Sequence, residues 1–295
     1  MKTLLITIVS ITLLLSCSSP ASKEVTFKKK TEATWSLTEV WRTDTLLTTC
    51  ESVLYDKTRK LLFVSCINGA PSEKNGKGFI SILKVDGSVL KLDWVTGLNA
   101  PKGMGVRGNT LYVADIDQLL IINIEKAEII EKLDIEGASF LNDVAMGIDG
   151  KVYFTDSDTG YIWVYHNGKA EAWITGGLER PNGLFVEKSR VLLTSSGSSD
   201  LKIIDKSTAS FETVTTEIGH GDGIEYTGRE GYYLTSDWSG EIFLIFPDFT
   251  KISLLKTSNR EINSADIGFN QIRQIVYVPT FFNNRVVAYK LEKTE

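Results

Sequence analysis

Short apolar runs recur along this chain at a spacing close to 40 residues. Similar phrases begin at Asn142, Asn182 and Asp222, which are 40 positions apart, and each phrase leads into an apolar strand. Those strands contain Val152-Tyr153-Phe154, Val191-Leu192-Leu193 and Tyr232-Tyr233-Leu234. A repeat of this length that divides into four short strands is typical of one blade of a β-propeller.

Each repeat pairs an inner strand with a second strand across a short polar turn such as Asp149-Gly150, which favours a hairpin. A third, alternating strand follows, and a fourth such as 170–174 completes most repeats. The inner and second strands are predicted at Ser52–Tyr55/Leu61–Ser65, Gly103–Val106/Thr110–Ala114, Val144–Gly147/Lys151–Asp156, Leu184–Val186/Val191–Ser195, Ile224–Tyr226/Gly231–Ser236 and Ile267–Phe269/Gln274–Pro279.

The last repeat lacks a fourth strand, whereas the segment Thr34–Arg42 lies outside any repeat. This segment would supply the missing strand and remove an exposed sheet edge. The sequence therefore predicts an all-β protein: a six-bladed β-propeller of four-stranded blades over residues 34–295, closed by an N-terminal strand.

Equivalent positions at the start of the inner strands converge on the central channel. They form a ring of Glu51, Lys102, Asn142, Asn182, Asp222 and Asp266. Glu51, Asn142, Asn182 and Asp222 together make an all-oxygen ligand set, which suits Ca²⁺. Zinc would favour His or Cys, and the chain has only two His. The alternative is that these polar residues cap strand ends and bind water in the channel.

Two sets of loops share the face at which the inner strands begin. The long insert 67–77 in the first blade is expected to act as a lid. Trp238, Phe281 and Phe282 are expected at the rim of the pocket. They indicate either a partly apolar ligand or packing between neighbouring loops.

The N-terminus resembles an export signal. The apolar run from Leu4 to Leu15 is too short to span a bilayer and fits a signal peptide. Leu14-Leu15-Ser16-Cys17 resembles the bacterial lipobox, which predicts a signal peptide over 1–17, lipidation of Cys17 and a tether over 18–33. The protein is then extracytoplasmic, and Ser18 favours anchoring in the outer membrane of a Gram-negative bacterium. An ordinary secretory signal with a chance Cys is the alternative.

The net charge of -5 leaves no basic face for nucleic acid. The sequence carries no signal for an oligomeric state. Cys50 and Cys66 flank the first hairpin, and a register that pairs Tyr55 with Leu61 would bring them opposite each other. An oxidising compartment permits a disulfide there, and two buried free thiols are the alternative.

Four phrases resemble signatures of the senescence-marker protein (regucalcin)/gluconolactonase family, with paraoxonases as wider relatives. They are Cys50–Asp56, Phe140–Asp143, Pro181–Leu184 and Gly219–Gly223. Leu111–Asp115 is similar to the NHL repeat. The resemblance covers residues 34–295 and implies that Glu51, Asn142, Asn182 and Asp222 bind a divalent metal, usually calcium. It also implies hydrolysis of a lactone.

Two positions depart from that family. Phe140 stands where sugar-lactone members carry Arg, which argues against a strongly hydrophilic aldonolactone. Lys102 stands where paraoxonase-like members carry a catalytic His. Phe140, Asp115, Trp238 and Phe281 are expected to line the substrate pocket.

The resemblance suggests a mechanism in which calcium acts as a Lewis acid on the lactone carbonyl, helped by Lys102. Asp222, or Asp266 across the ring, would accept a proton from water. His220 would orient that water or support Asp222, unless it is only structural. Lys102 would otherwise form a neutralising salt bridge to Asp266 or Glu51.

Two functions remain open at this point. The first is a metal-dependent hydrolase of a lactone or similar ester, with a small-molecule substrate. The second is a non-catalytic propeller that binds a ligand or protein partner, with structural calcium. The intact set of four ligands favours the enzyme, whereas Phe140 and Lys102 favour the binding protein.

Overall fold

The computed structural model describes residues 34–294, which form six antiparallel four-stranded sheets arranged as the blades of a propeller. The predicted six-bladed fold is therefore confirmed. The predicted signal peptide 1–17, the lipidation site Cys17 and the tether 18–33 lie outside the described residues. Within 34–294 no helix is long and apolar enough to cross a membrane.

Successive strands along the chain build the blades in order, from the channel outwards. Blade one contains β2 to β5 (Cys50–Asp56, Leu61–Cys66, Gly78–Lys84, Val89–Leu98), and blade two β6 to β9 (Pro101–Arg107, Thr110–Asp115, Gln118–Asn123, Glu128–Asp134). Blade three contains β10 to β13 (Leu141–Met146, Val152–Asp156, Tyr161–His166, Lys169–Thr175), and blade four β14 to β17 (Pro181–Val186, Arg190–Ser195, Asp200–Asp205, Phe211–Thr216).

Blade five contains β18 to β21 (Gly221–Tyr226, Tyr233–Asp237, Glu241–Ile245, Lys251–Lys256). Blade six contains β22 to β24 (Gly268–Asn270, Ile275–Pro279, Val286–Thr294) with β1 (Thr34–Arg42) as its outer strand. The helical turn of the described chain is a 3₁₀ turn over Ser258–Arg260.

The apolar core lies between neighbouring blades rather than within them. Ala114 and Leu119 of blade two, for example, form one buried cluster with Val144 and Phe154 of blade three. Second strands are covered on both faces, so β11 is buried at every residue, whereas the outer strand β13 is mostly exposed. This burial gradient explains why the second strands are the most apolar segments of each repeat.

The N-terminal closing strand is confirmed. β1 pairs with β24 in antiparallel register from Thr34↔Thr294 to Arg42↔Val287. Trp35 packs on Tyr232 of blade five with ring centroids 5.7 Å apart. Trp35 and Leu37 are half-buried against the core between blades five and six, which explains the large apolar residues at the start of this isolated segment.

A β-bulge at the start of an inner strand recurs in five blades. The ladder shifts register between Cys50 and Ser52, and similar shifts follow Pro101, Leu141, Pro181 and Gly221. A bulge leaves a residue outside the ladder and turns its side chain away from the sheet. In this propeller the bulges lie where the ring residues begin each strand, so they direct those side chains to the channel.

The bulge at Glu51 also decides the register of the first hairpin. The predicted pair of Tyr55 with Leu61 is wrong by one position, because Tyr55 faces Leu62. The bulge restores the offset, so Cys50 does face Cys66. Both thiols are buried and unbonded, which leaves the free-thiol alternative as the observed state.

Candidate functional site

A cavity of about 450 Å³ opens at the end of the channel where the inner strands begin. Five of the six predicted ring residues line it, together with five more residues that the sequence placed in or around the pocket. The lining comprises Glu51, Ile67, Pro71, Lys102, Phe140, Asn142, Arg180, Asn182, Ser196, His220, Asp222, Trp238, Phe281 and Phe282.

Asp266, the sixth ring residue, does not line this cavity. It lines a second cavity of about 430 Å³ at the opposite end of the channel, where the hydroxyl of Ser52 donates to its carboxylate. Its backbone bridges to the first inner strand, since Asp266 N donates to Glu51 O at 2.9 Å and Val53 N donates to Asp266 O at 3.1 Å. The strand connection thus places Asp266 in the wall of the opposite cavity, although the charges of Glu51 and Asp222 still contribute to the rise of its pKa. Its expected role as a base stays a prediction.

Asp115, expected in the substrate pocket, is fully buried below the loop instead. Its carboxylate accepts hydrogen bonds from the backbone of Asn99 at 2.9 Å and of Ala100 at 2.7 Å. Asp156 and Asp237 end the equivalent strands of blades three and five and accept backbone N–H groups in the same way. These aspartates hold the loops that enter the inner strands, so they position the cavity without lining it.

Three oxygen atoms of the predicted metal ligands are buried and have no hydrogen-bond partner among residues 34–294. They are Oε2 of Glu51, Oδ1 of Asn182 and Oδ1 of Asp222. Leaving a buried polar atom unsatisfied costs about 1–3 kcal/mol. Asn142 donates its amide N–H to Ser157 Oγ at 3.1 Å, which commits Nδ2 to the protein rather than to the cavity.

This donor set fits a hard divalent cation, because only oxygen atoms from two carboxylates and two amides converge on it. The carboxylates alone do not complete a metal site, and neither His nor Cys contributes to it. Among residues 34–294 no group of three or more His, Cys, Asp or Glu side chains is arranged to hold a metal. Asn142 and Asn182 would therefore be essential to any metal site here.

Two buried carboxyl groups, those of Glu51 and Asp222, line the cavity. Burial raises the pKa of Glu51 to about 8, with Lys102 opposing and Asp143 adding to the rise. Burial and the Glu51 carboxylate together hold the pKa of Asp222 well above its ordinary value. Two ionised carboxylates at this depth repel each other and lack water, and a bound cation would relieve both effects.

Lys102 is buried in the wall of the cavity with 1% of its surface exposed. Its ammonium donates to Pro71 O at 2.9 Å and to Ala100 O at 3.0 Å and lies 4.4 Å from the centroid of the Phe140 ring. Burial lowers the pKa of Lys102 to about 8, against the attraction of Glu51 and other carboxylates. Within residues 34–294 it forms no ion pair, so the alternative of a salt bridge to Glu51 or Asp266 is not observed.

Three aromatic rings form the rim on the side of blades five and six. Trp238 lies edge-on to Phe281 at 5.4 Å, and Phe281 lies edge-on to Phe282 at 4.8 Å. Phe281 is buried whereas Phe282 is 64% exposed. The rings therefore pack the loops together and also present an apolar edge. Close to them, Nδ1 of the exposed His220 lies 3.3 Å from Ser239 Oγ.

Arg180 is a cavity residue that the sequence reasoning missed. It directly precedes Pro181-Asn182, and its guanidinium pairs with Asp158 at 2.6 Å and lies 6.0 Å from the Phe140 centroid. Phe140, which is predicted to line the pocket, lies two positions before Asn142. Arg180 lies two positions before Asn182, and this equivalence in the repeat predicts that it lines the pocket as well.

Comparison with known proteins adds evidence on the fold. No protein-family model and no curated protein matches the chain. A gluconolactonase from Xanthomonas campestris has 14% identity and a TM-score of 0.64, covering 83% of this chain and 86% of its own. A streptogramin B lyase has 13% identity and a TM-score of 0.63, covering 88% and 98%.

A chain from a nidogen/laminin complex is similar to the same degree, with 13% identity and a TM-score of 0.63 over 75% of this chain and 85% of its own. A lactonase, a lyase and a member of a protein complex thus share this fold. At such identities the similarity establishes the propeller and leaves the function to the site residues.

Proposed function

We propose that this protein is a metal-dependent hydrolase of a lactone or a similar ester, with Ca²⁺ or another divalent cation held in the central channel. The observation that carries the proposal is the set of three buried, unpartnered oxygens on Glu51, Asn182 and Asp222. Together with Asn142 these residues would hold the cation. When bound, the cation would supply Lewis-acid polarisation of the substrate carbonyl.

The remaining steps belong to the residues around that position. An ammonium has three N–H donors, and Lys102 uses two on backbone carbonyls, so one donor is left to face a negatively charged group of the substrate. Asp222, whose pKa is raised by burial and by Glu51, would accept a proton from the attacking water. His220 lines the same cavity and would orient that water.

The mouth of the cavity would exclude bulk water. Phe140, Trp238 and Phe281 line it with ring faces and edges, and the backbone of Pro71 in the insert 67–77 covers Lys102. A dry mouth strengthens the electrostatic effects of the buried charges. It also favours a substrate less hydrophilic than a sugar lactone.

We propose further that the hydrolase is a lipoprotein anchored through Cys17 at the outer membrane, which rests on the sequence of the N-terminal segment. Metabolic labelling with a palmitate analogue tests the lipidation of Cys17, and fractionation of the two membranes tests the location. Label that persists in Cys17→Ala would refute the lipidation.

The second candidate is a non-catalytic propeller that binds a ligand or protein partner at the same face, with the cation structural. The 64% exposed Phe282 at the rim favours it, since an apolar edge suits a binding surface. Both candidates need the same cation. They differ in whether the cavity turns over a bound ester.

Calorimetric titration of the protein with CaCl₂, paired with melting curves in chelator and in calcium, is the first test. Saturable one-to-one binding that is lost in Asn182→Ala is expected. The control is Ser196→Ala, which alters the same cavity away from the four ligands. No binding by the wild type would refute the metal site. With binding established, a panel of lactones and aryl esters separates the hydrolase from the binding protein.

A further inference from the structure

Two cations flank one aromatic ring inside the candidate cavity. The Lys102 ammonium lies 4.4 Å from the Phe140 centroid, and the Arg180 guanidinium lies 6.0 Å from it. All three side chains line the cavity. A positively charged, partly apolar wall therefore faces the position where a substrate would bind.

Lys102 lacks the partner that a buried lysine ordinarily has. Lys202, the other buried lysine of residues 34–294, is ion-paired with Asp200 and hydrogen-bonded to Thr213. Lys102 has only two backbone carbonyls as acceptors. A buried ammonium without a carboxylate is costly, and an anion entering the cavity would provide the missing partner.

The charge of the cavity supports the same conclusion. Glu51 and Asp222 oppose Lys102 and Arg180 in the protein alone, but a divalent cation would neutralise the two carboxylates. Arg180 is ion-paired with Asp158, but the two side chains are 53% and 42% exposed, and ion pairs this exposed are weak. The metal-loaded cavity is therefore electropositive beside an apolar wall.

We propose that the substrate carries a carboxylate next to an apolar body, and that Lys102, with Arg180, is the specificity-determining residue that binds this carboxylate. The body packs on Phe140, Trp238 and Phe281, whereas the reacting carbonyl lies deeper, towards Asp222. This inference rests on the proposed function and names the substrate class of its cavity.

Binding of a carboxylate against its neutral amide tests the proposal without turnover. The probes are 4-phenylbutyrate and 4-phenylbutanamide, titrated by calorimetry into the protein in saturating CaCl₂. The wild type is expected to prefer the carboxylate. Lys102→Met keeps the approximate length of the side chain and removes its charge. It is expected to weaken binding of the carboxylate at least about tenfold and binding of the amide by less than about twofold.

The matched control is Lys169→Met, an exposed lysine on the outer strand of the blade that carries Phe140. It should leave both affinities unchanged. Arg180→Met removes the second cation from a half-exposed side chain and should cause a smaller loss, again for the carboxylate alone. Melting curves of each variant establish that it is folded.

Two results would overturn the inference. One is an equal loss of both probes, or no loss, in Lys102→Met. The other is a carboxylate preference that survives in Lys102→Met but disappears in chelator, because the channel cation and not the lysine then binds the carboxylate.

A turnover experiment separates this inference from the proposed function. The substrates are mono-p-nitrophenyl glutarate and its neutral methyl ester, and the expected result is a higher kcat/KM for the acid that Lys102→Met abolishes. Equal turnover of both by the wild type leaves the hydrolase standing and overturns the carboxylate preference. If a panel of lactones and esters shows no turnover, the hydrolase fails and the binding titration alone decides the inference.

Discussion

Replacing Glu51 by Gln should change the stability of this protein in opposite directions with and without calcium. In the metal-free protein the folded state holds this carboxyl at a pKa of about 8, against an ordinary value of 4.5, because of burial. Gln keeps the shape and removes the ionisable group. The variant therefore isolates the cost of a buried carboxylate from the packing of its side chain.

The sign follows from proton linkage. Because the folded-state pKa is raised, stability from this group is fully present below pH 4.5 and is lost as pH rises from 4.5 to about 8. Each unit is worth about 1.4 kcal/mol, so the cost at pH 7 is roughly 3 kcal/mol. The opposing attraction of Lys102 is already included in the pKa of about 8, so the expected net gain of the variant in chelator is about 1–3 kcal/mol.

Urea and thermal unfolding at pH 7 measure this gain. A propeller of this size should melt about 2–4 °C higher for each kcal/mol gained. In saturating calcium the order should reverse, because Gln offers a neutral oxygen in place of a carboxylate. It should bind the cation at least about two-hundredfold more weakly, a loss of about 3 kcal/mol or more that exceeds the gain. Glu171→Gln, on an exposed edge strand, is the matched control and should change neither stability.

The reasoning is wrong if Glu51→Gln is less stable than the wild type in chelator while its calcium-induced rise in melting temperature is retained. That pair of results would mean that Glu51 stabilises the fold by itself and takes no part in a metal site. The pH dependence gives a second check. Between pH 5 and 8 the metal-free wild type should lose stability more steeply than the variant.

Three further outcomes are expected from the fold. Gly183→Ala should lower the free energy of unfolding by about 3 kcal/mol or more, since its Cβ would lie 2.0 Å from a carbonyl oxygen of the next inner strand. Gly168→Ala, with open space around it, should lower it by only about 1 kcal/mol. Equal losses of stability in urea unfolding would contradict this contrast. Asp115→Ala should lower the free energy of unfolding by about 2–3 kcal/mol, because two backbone N–H groups lose their acceptor. Its calcium affinity, measured by calorimetry, should be unchanged, since Asp115 is not one of the four ligands. Loss of calcium binding would place this residue in the site. Burial raises the pKa of Cys50 to about 12 and that of Cys66 well above its ordinary value. Peptide mass spectrometry should therefore find neither thiol alkylated by iodoacetamide in the native protein at pH 8, and both alkylated in urea. A disulfide-linked peptide would contradict the free thiols.

Periodicity was sufficient to predict the propeller and its closing strand. Blade cores are built from apolar second strands that repeat at even spacing, and such strands leave a strong pattern in the sequence. The same repeat placed Asn142, Asn182 and Asp222 at equivalent positions, which is why these residues do meet at one cavity.

The departures from prediction share a physical cause, which is the local path of the backbone. Asp266 has the expected spacing, yet a bridge to the first inner strand turns it towards the opposite cavity. Asp115 was assigned by loop position, whereas its hydrogen bonds lie beneath the loop. The inner strand that carries the bulge at Glu51 is buried on both faces, so apolar and polar residues do not alternate along it. A register shift of one residue therefore leaves no sign in its hydrophobic pattern.

The closing strand also determines the order in which the chain can fold. Thr34 and Thr294 pair although they are 260 positions apart, so β1 emerges from synthesis first and finds its partner last. Bringing together ends at this separation costs about 5 kcal/mol of loop-closure entropy unless the intervening blades are already stacked. This cost favours closure after five blades and the inner strands of the sixth have assembled as an open ring. Until then the exposed edge of β24 is the surface most exposed to mispairing, and a chaperone that recognises unpaired strands would act there.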